Sequence, residues 1–234
     1  MGGLIEIASS ILSDATRTVE FSAQNTANIA TPGYKRRLDF ARVMAATTDS
    51  IGDPVGRAAT TDFSPGKISE TGNPLDLALT GDGFFVVRTA GGALRYTRDG
   101  QFERAADGRI TDARGAFLQA DGADLMLRSG GAEVLADGVV LEDGAPIARL
   151  DIVAIADRAA MTPTQGGGFA APADAAETLA SPSVRQGALE MSNVTTASEM
   201  VSLMAALRRA ESGQRLANVY DDLMGRVIST FGTT

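Results

Sequence analysis

Apolar residues at both ends of the chain recur with the period of an α-helix. Near the N-terminus they stand at steps of three and four residues, at Leu4, Ile7, Ala8, Ile11, Leu12, Ala15 and Val19. Near the C-terminus the same spacing joins Val194, Met200, Leu203, Met204, Leu207, Ala210, Leu216, Val219, Tyr220, Leu223, Val227 and Phe231. The patterns predict one amphipathic helix over about residues 3–29 and a longer one that closes the chain. Each apolar stripe can be covered by the other helix or by a second copy of the chain, and a helical hairpin packed on the central region is an equal alternative.

Between the helices, short apolar runs alternate with turn signals. Runs such as 84–87 and 152–155 are separated by turn sequences that include Gly81-Asp82-Gly83, Asp99-Gly100 and Asp107-Gly108. This alternation predicts an all-β module. The expected fold class is therefore α+β, with the N- and C-terminal helices paired as a coiled coil and a central all-β domain.

The domain boundaries follow from changes in composition. We expect an N-terminal helix in residues 1–34, a connector at 35–63, the β-domain at 64–156, a second connector at 157–184 and the C-terminal helix in 185–234. The first connector is rich in Ala, Thr and Asp, and the second contains Gly166-Gly167-Gly168. Neither connector shows a sustained period, which is typical of extended or flexible chain.

Composition excludes several kinds of chemistry. The 234 residues include no cysteine and no histidine, which excludes thiolate nucleophiles, disulfides, His-containing zinc sites and imidazole general bases. No apolar run approaches the roughly 20 residues that span a bilayer, so we expect no membrane insertion. Glu6 and Asp14 interrupt the apolar stretch that a secretory signal would need. If the protein leaves the cytoplasm, we expect another export route.

The net charge of −8 is concentrated in the middle of the chain. Residues 99–182 hold 14 acids and 6 bases, whereas residues 1–98 hold 10 of each and residues 183–234 hold 5 of each. Neutral ends can pack against copies of themselves without accumulating repulsion. The acidic middle favours solubility and argues against nucleic acid or an anionic membrane as a partner.

Three local patterns suggest ligand chemistry, and each has a simpler explanation. Gly81-Asp82-Gly83 resembles the start of a nucleotide-binding loop, but the third glycine is missing and a strand follows. Asp121 and Asp124 hint at a calcium loop, but the remaining ligands of that pattern are absent, so solvated turn acids are expected. The carboxylate pairs Asp99 with Glu103 and Asp76 with Asp82 lack the aromatic cleft of a glycosidase. We expect no catalytic, cofactor or metal site.

Three blocks of sequence, in order along the chain, resemble the flagellar rod, hook and hook-associated axial proteins. The first block is residues 25–35 (NTANIATPGYK), which is similar to the family's Asn-Asn-Ile-Ala-Asn run and the Thr-Pro-Gly-Tyr that follows it. The second comprises residues 72–79 (GNPLDLAL), 81–87 (GDGFFVV) and 96–102 (YTRDGQF), and the third is residues 186–194 (QGALEMSNV). Gln24, Thr26 and Ala30 depart from the family pattern.

The length of the chain and one run of residues near its C-terminus indicate which type of axial protein it resembles. The chain is shorter than a typical hook protein, and the YTRDG block is not expected in the smallest rod subunits. The run Arg208-Arg209-Ala210-Glu211 resembles the proximal-rod FlgF type more than the distal-rod FlgG type, in which an aromatic residue usually precedes the glutamate. A distal-rod or hook-like axial subunit is the alternative.

The resemblance implies a structural subunit of the bacterial flagellar basal-body rod. It implies terminal helices that line the inner tube, a β-domain outside them, and export into the periplasm through the flagellar type III apparatus without a cleaved signal peptide. Implied partners are other rod and hook axial proteins, copies of the chain itself and the export apparatus, with no cofactor. A peptidoglycan-acting enzyme with a carboxylate cleft and a soluble adhesin with a fully ordered monomer are alternatives of other classes.

The residues that the motif and the helix stripes suggest for the assembly interface are Ile11, Asn25, Asn28, Pro32, Gly33, Tyr34, Asn193, Val194, Met200, Leu203, Leu207, Leu223 and Val227.

Overall fold

The computed structural model describes residues 3–41, 57–128, 131–164, 167–172 and 175–231. The chain forms two compact units. The helical unit comprises Met1–Ala27, Arg37–Asp62 and Val194–Thr234, and the β-unit comprises Asn28–Arg36 and Phe63–Asn193. The predicted α+β class, with paired terminal helices and a central β-domain, is confirmed.

The helical unit is built on two helices, α1 (Gly3–Ala27) and α2 (Thr196–Phe231), which pack against each other. α1 ends two residues before the predicted Ile29. Residues 28–30 form a turn in which the Thr31 amide donates to the Asn28 carbonyl oxygen at 3.1 Å. Pro32 directly follows Thr31 and disfavours helical dihedrals there, which accounts for the early end of the helix.

The helical unit also contains a short antiparallel pair of strands, β1 (Arg37–Ala41) and β2 (Arg57–Thr61). Both strands lie in residues 35–63, which the sequence assigns to a connector. The rest of that predicted connector, residues 42–56, lies outside the described residues. In the part of the chain that the structure describes, no helix is long and apolar enough to span a membrane.

The β-unit contains strands β3 to β19. In chain order these are Ile68–Glu70, Leu77–Leu79, Phe84–Arg88, Leu94–Thr97, Phe102–Arg104, Ile110–Asp112, Phe117–Ala120, Ala123–Asp124, Ala132–Val134, Val139–Glu142, Ala145–Arg149, Ile152–Ile155, Thr162–Pro163, Phe169–Ala170, Ala176–Thr178, Val184–Gln186 and Ala188–Glu190. The main sheet has the order β15-β16-β6-β5-β9-β8-β7, with β14 joining β5 to β17. Strands β11, β12 and β13 form a second sheet, β18 pairs with β4, and β19 pairs with β3.

The core of the β-unit lies on both faces of β5. Phe85 and Val87 belong to one buried cluster, and Phe84 and Val86 belong to another. This alternation follows from the two-residue period of a strand. Phe169 in β16 is buried against Phe84. Residues 157–184, which the sequence assigns to a connector, therefore contribute strands and an aromatic side chain to this core.

The C-terminal helix begins later than the sequence pattern suggests. Strands β18 and β19 occupy residues 184–190 and belong to the β-unit. Val194 was predicted to open the helical stripe, but it precedes Thr196, the first residue of α2, and is buried. The Thr195 hydroxyl accepts a hydrogen bond from the Ser198 backbone amide, as expected of the residue before a helix.

Candidate assembly surface

Buried residues at seven-residue intervals form the contact between α1 and α2, and five of the six are small. On α1 they are Ala8, Ala15 and Ser22, and on α2 they are Glu199, Ala206 and Gly213. Ser22 Oγ donates to the Glu199 carbonyl oxygen at 3.1 Å, and Gly213 lies next to Ala8, so the helices are antiparallel. A seven-residue repeat on both helices is the spacing of a coiled coil. We call these six residues the small seam.

Gly213 marks a close approach of the two helices. A Cβ atom at this position would lie 3.1 Å from Ile11 Cγ2, 3.2 Å from Leu12 Cγ and 3.4 Å from the Ala8 carbonyl oxygen. These distances leave little room for a larger side chain. Ile11, one of the predicted interface residues, is half-buried at this point.

Because the small seam joins the helices, most large apolar side chains of the helical unit remain exposed. They are Ile5, Ile7 and Leu12 on α1, and Met200, Val201, Leu203, Met204, Leu207, Val219 and Leu223 on α2. Four of them stand at i, i+3, i+4 and i+7, which places them on one side of the helix. We call Met200, Leu203, Met204 and Leu207 the apolar face of α2. Contiguous exposed apolar residues are typical of a protein–protein contact.

Asn25 ties the end of α1 to β1. Its amide nitrogen donates to the Arg37 carbonyl oxygen at 2.9 Å, and its amide oxygen accepts from the Arg37 amide at 2.9 Å. The Arg37 guanidinium lies over the Phe21 ring at 5.0 Å. The buried asparagine of the first motif block therefore fixes where the chain goes after the helix.

In the β-unit, the three motif blocks meet around Glu190. Its carboxylate accepts hydrogen bonds from Lys35 Nζ at 2.7 Å, the Gly66 amide at 2.8 Å and Arg98 at 3.2 Å. The three charged side chains are at least nine-tenths buried. Burial lowers the pKa of Arg98, and the Glu190 carboxylate opposes that shift. Each of the three charges comes from a different block, so we call them the motif triad.

Gly33 sits where the first block crosses the second. Its φ is +66°, and a Cβ atom there would lie 2.1 Å from the Asp99 amide nitrogen. Its own amide donates to the Glu190 carbonyl oxygen at 2.7 Å. Asn193 contacts the first block on both sides of Lys35. Its side-chain oxygen accepts a hydrogen bond from the Arg36 backbone amide at 2.7 Å, and its backbone amide donates to the Tyr34 carbonyl oxygen at 3.4 Å. Only glycine fits this crossing.

The structure separates the predicted interface residues into two groups. The residues of the first group are buried or half-buried: Ile11 and Asn25 in α1, and Asn28, Pro32, Gly33, Tyr34, Asn193 and Val194 at turns and chain crossings. Met200, Leu203, Leu207 and Leu223 are exposed on α2. Val227 belongs to α2, but its side chain lies outside the described residues.

Several structurally important residues were not among the predicted interface residues. They are Lys35, Arg98 and Glu190 of the motif triad and the residues of the small seam. The sequence contained a signal for each set: the triad residues each lie within a motif block, and the seam residues are spaced seven positions apart.

Three of the four carboxylates considered for hydrolysis are engaged in local structure, and the fourth, Glu103, is exposed on β7. Asp76 accepts from the Thr71 hydroxyl at 2.7 Å and the Asn73 amide at 2.9 Å. The hydrogen bond from Arg158 lowers the pKa of Asp82. Burial raises the pKa of Asp99, and the hydrogen bond from the Gln101 amide opposes that shift. Across the described residues, no group of three or more acidic, His or Cys side chains is arranged to hold a metal ion.

Two family models match the chain. The model of the "Flagellar hook protein FlgE/F/G D1 domain" matches residues 78–156 in the β-unit. The model of the "Flagellar basal body rod FlgEFG protein C-terminal" matches residues 185–230, which include most of α2. Both models therefore describe axial proteins of the flagellum; the first match lies in the β-unit, and the second covers the last residues of the β-unit and most of α2.

Relatives extend this match over most of the chain. The flagellar basal-body rod protein FlgF of Salmonella typhimurium is 32% identical over 88% of both chains. FlgF of Escherichia coli is 30% identical over 88% of both chains. FlgG of Agrobacterium fabrum is 29% identical over 90% of this chain and 92% of its own.

These matches, the paired helices and the central β-unit define an axial flagellar protein. The chain belongs to the flagellar basal-body rod protein family, and the predicted resemblance to its FlgF type is confirmed. It is a structural subunit of the basal-body rod, as the sequence motifs indicated. The matched relatives named here are rod proteins, and none of their names describes an enzyme.

Proposed function

We propose that this chain polymerises with other rod and hook axial proteins and with copies of itself through the apolar face of α2. In this role it transmits torque, lines the export channel and has no enzymatic activity. The supporting observation is the small seam, which joins the two helices while leaving Met204 and Leu207 more than half exposed. Burial of such side chains is the dominant favourable term in most protein association.

Two observations support association driven mainly by burial of apolar side chains: the free energy of burying each side chain is large, and net charge does not oppose the contact. Burying one leucine side chain contributes about 1.5–3 kcal/mol. The two ends of the chain are electrically balanced, whereas residues 99–182 carry the excess acid. α2 itself carries four acids and four bases, so copies of α2 can approach each other without net repulsion.

The route to the rod is part of the proposal. We infer export of the chain into the periplasm by the flagellar type III apparatus, without a cleaved signal peptide. Glu6 and Asp14 interrupt the apolar residues near the N-terminus, which supports a route other than a secretory signal. N-terminal sequencing of the chain isolated from basal bodies tests this, and a shortened N-terminus would contradict it.

A charge placed on the apolar face tests the proposed contact. Leu207→Asp in the full chain should weaken association with purified axial proteins by roughly ten- to a hundredfold, because a carboxylate replaces a leucine that the proposed contact buries. Leu94→Asp is the matched control, since Leu94 is 51% exposed in the β-unit. Sedimentation measures association, and circular dichroism verifies that both variants are folded. Equal association of the two variants would contradict the proposal.

A further inference from the structure

Two methionines stand one helical turn apart on the apolar face of α2. Met200 is 57% exposed and Met204 is 60% exposed, and Leu203 and Leu207 flank them on the same side of the helix. Methionine is apolar and of similar size to leucine, but only methionine has a thioether sulfur, which can be oxidised. The most exposed part of the apolar face is therefore also its chemically reactive part.

Other methionines of the chain provide internal comparisons. Met161 is 6% exposed and packs in the β-unit cluster that contains Phe84 and Phe169. Met126 is 59% exposed, but it belongs to the β-unit. Reactivity of a thioether towards peroxide follows its exposure. Met200, Met204 and Met126 should therefore react together, and Met161 should lag behind them.

We propose that Met200 and Met204 form an oxidative modification site that controls whether the apolar face of α2 can be covered by a neighbouring subunit. The oxidant is hydrogen peroxide. Each sulfur loses two electrons and gains one oxygen atom to become a sulfoxide, and the peroxide is reduced to water. A sulfoxide is polar, so burying it in an apolar contact without a hydrogen-bond partner opposes association.

The modification is reversible in chemical terms. Two thiol-dependent methionine sulfoxide reductases, one for each sulfoxide epimer, return the thioether, release the oxygen as water and leave a disulfide on the reductant. The chain contains no cysteine, so peroxide cannot act on it through a thiol. The proposal rests on the proposed function for its effect on association, but not for the reactivity of the two methionines.

The first measurement is the rate of oxidation in the full, folded chain. Peptides from peroxide-treated protein are examined by tandem mass spectrometry for addition of one oxygen at each methionine. Met200 and Met204 should be oxidised at least about tenfold faster than Met161. Oxidation of Met126, Met161, Met200 and Met204 at one rate, or slow oxidation of the pair on α2, would overturn the proposal.

The second measurement is association with purified axial proteins, by sedimentation, before and after peroxide. Association of the unaltered chain should fall at least about tenfold after treatment and return after incubation with both reductases. Met126→Leu should lose association to the same extent. The Met200→Leu/Met204→Leu variant, compared with its own untreated level, should lose none. Full oxidation of both methionines without loss of association would overturn the proposal, whereas failure of the untreated chain to associate would instead contradict the proposed function.

Discussion

Ser22 and Glu199 meet across the two helices through a hydrogen bond from the Ser22 hydroxyl to the Glu199 carbonyl oxygen, 3.1 Å long. The bond lies at one end of the small seam, and Ala8 lies beside Gly213 at the other. Fourteen residues separate the two ends on each helix, so the contacts keep one register throughout. The pair is therefore an antiparallel coiled coil with a narrow interior.

Enlarging the seam should force the helices apart. Gly213→Leu places a side chain where Ile11 and Leu12 leave 3.1–3.2 Å for a Cβ atom, and we expect a loss of about 1–3 kcal/mol from the stability of the helical unit. Gly225→Leu is the matched control, because no atom lies within 4 Å of the corresponding Cβ position on the same helix. Thermal unfolding followed by helical circular dichroism measures both. Equal melting of the two variants would show that the helices do not approach closely at Gly213.

Gly33→Val should destabilise the β-unit itself. The structure places the Cβ position 2.1 Å from a backbone atom of Asp99 and gives Gly33 a positive φ. We therefore expect a loss of at least about 3 kcal/mol, from strain and overpacking together.

Gly72→Val separates those two contributions. Gly72 also has a positive φ, +76°, but no atom lies within 4 Å of its Cβ position. Denaturant unfolding of both variants gives the difference due to close approach alone. A Gly72 variant as unstable as the Gly33 variant would assign the effect to backbone strain.

Removing the charge of Glu190 should be far more costly than removing a surface charge. Glu190→Gln leaves the buried cations of Lys35 and Arg98 without their carboxylate, which costs about 3–5 kcal/mol. Glu70→Gln is the control, because Glu70 pairs with Arg185 in solvent and such pairs contribute about 0–1 kcal/mol. Urea unfolding of the full chain measures both. A small effect at Glu190 would mean that the two cations find other partners.

Stability should depend on pH through Asp124. Hydrogen bonds from Arg88 and Gln119 lower the pKa of Asp124 in the folded chain. A lowered folded pKa stabilises the fold above the unfolded pKa of about 3.9, and this contribution is lost as pH falls through the folded pKa. Asp124→Asn should therefore be about 1 kcal/mol less stable than the unaltered chain at pH 7.

The difference in stability between the Asp124→Asn variant and the unaltered chain should shrink as pH falls below about 4. Protonation then removes the charge of Asp124, so the unaltered chain also loses the charged hydrogen bonds. Denaturant unfolding at several pH values measures it. A difference that stays constant or grows in acid would place the stabilisation elsewhere.

The parts of the fold that follow a strong period were predictable from the sequence. The residues from Leu4 to Val19 predicted α1, and the spacing of turn glycines predicted the β-unit. Ala8 and Ala15, through which α1 meets α2, belong to the predicted stripe of α1, but their partners on α2 were not predicted, because a hydrophobic pattern emphasises large side chains. Ala206 and Gly213 contribute through their small size, which periodicity of apolar residues does not register.

Long-range contacts set the remaining features. Val194 fits the helical spacing of α2, but Asn193 before it is held by Tyr34 and Ser64, which are distant in sequence. Likewise, the sequence reveals the charges of Lys35 and Glu190 but not that both are buried. Their contact joins residues 155 positions apart, and no local pattern specifies such a pairing.

The small seam has a mechanical consequence. A slide of one heptad, which is about 10.5 Å along the axis, would bring Ala206 or Tyr220 to the place of Gly213 beside Ala8. Only 3.1–3.2 Å is free for a Cβ atom there, so packing opposes the slide at this end of the small seam. At the other end, the hydrogen bond from the Ser22 hydroxyl to the Glu199 carbonyl oxygen opposes it. Under axial load, the helix pair therefore resists sliding at both ends of the small seam, and the exposed apolar side chains take no part in that resistance.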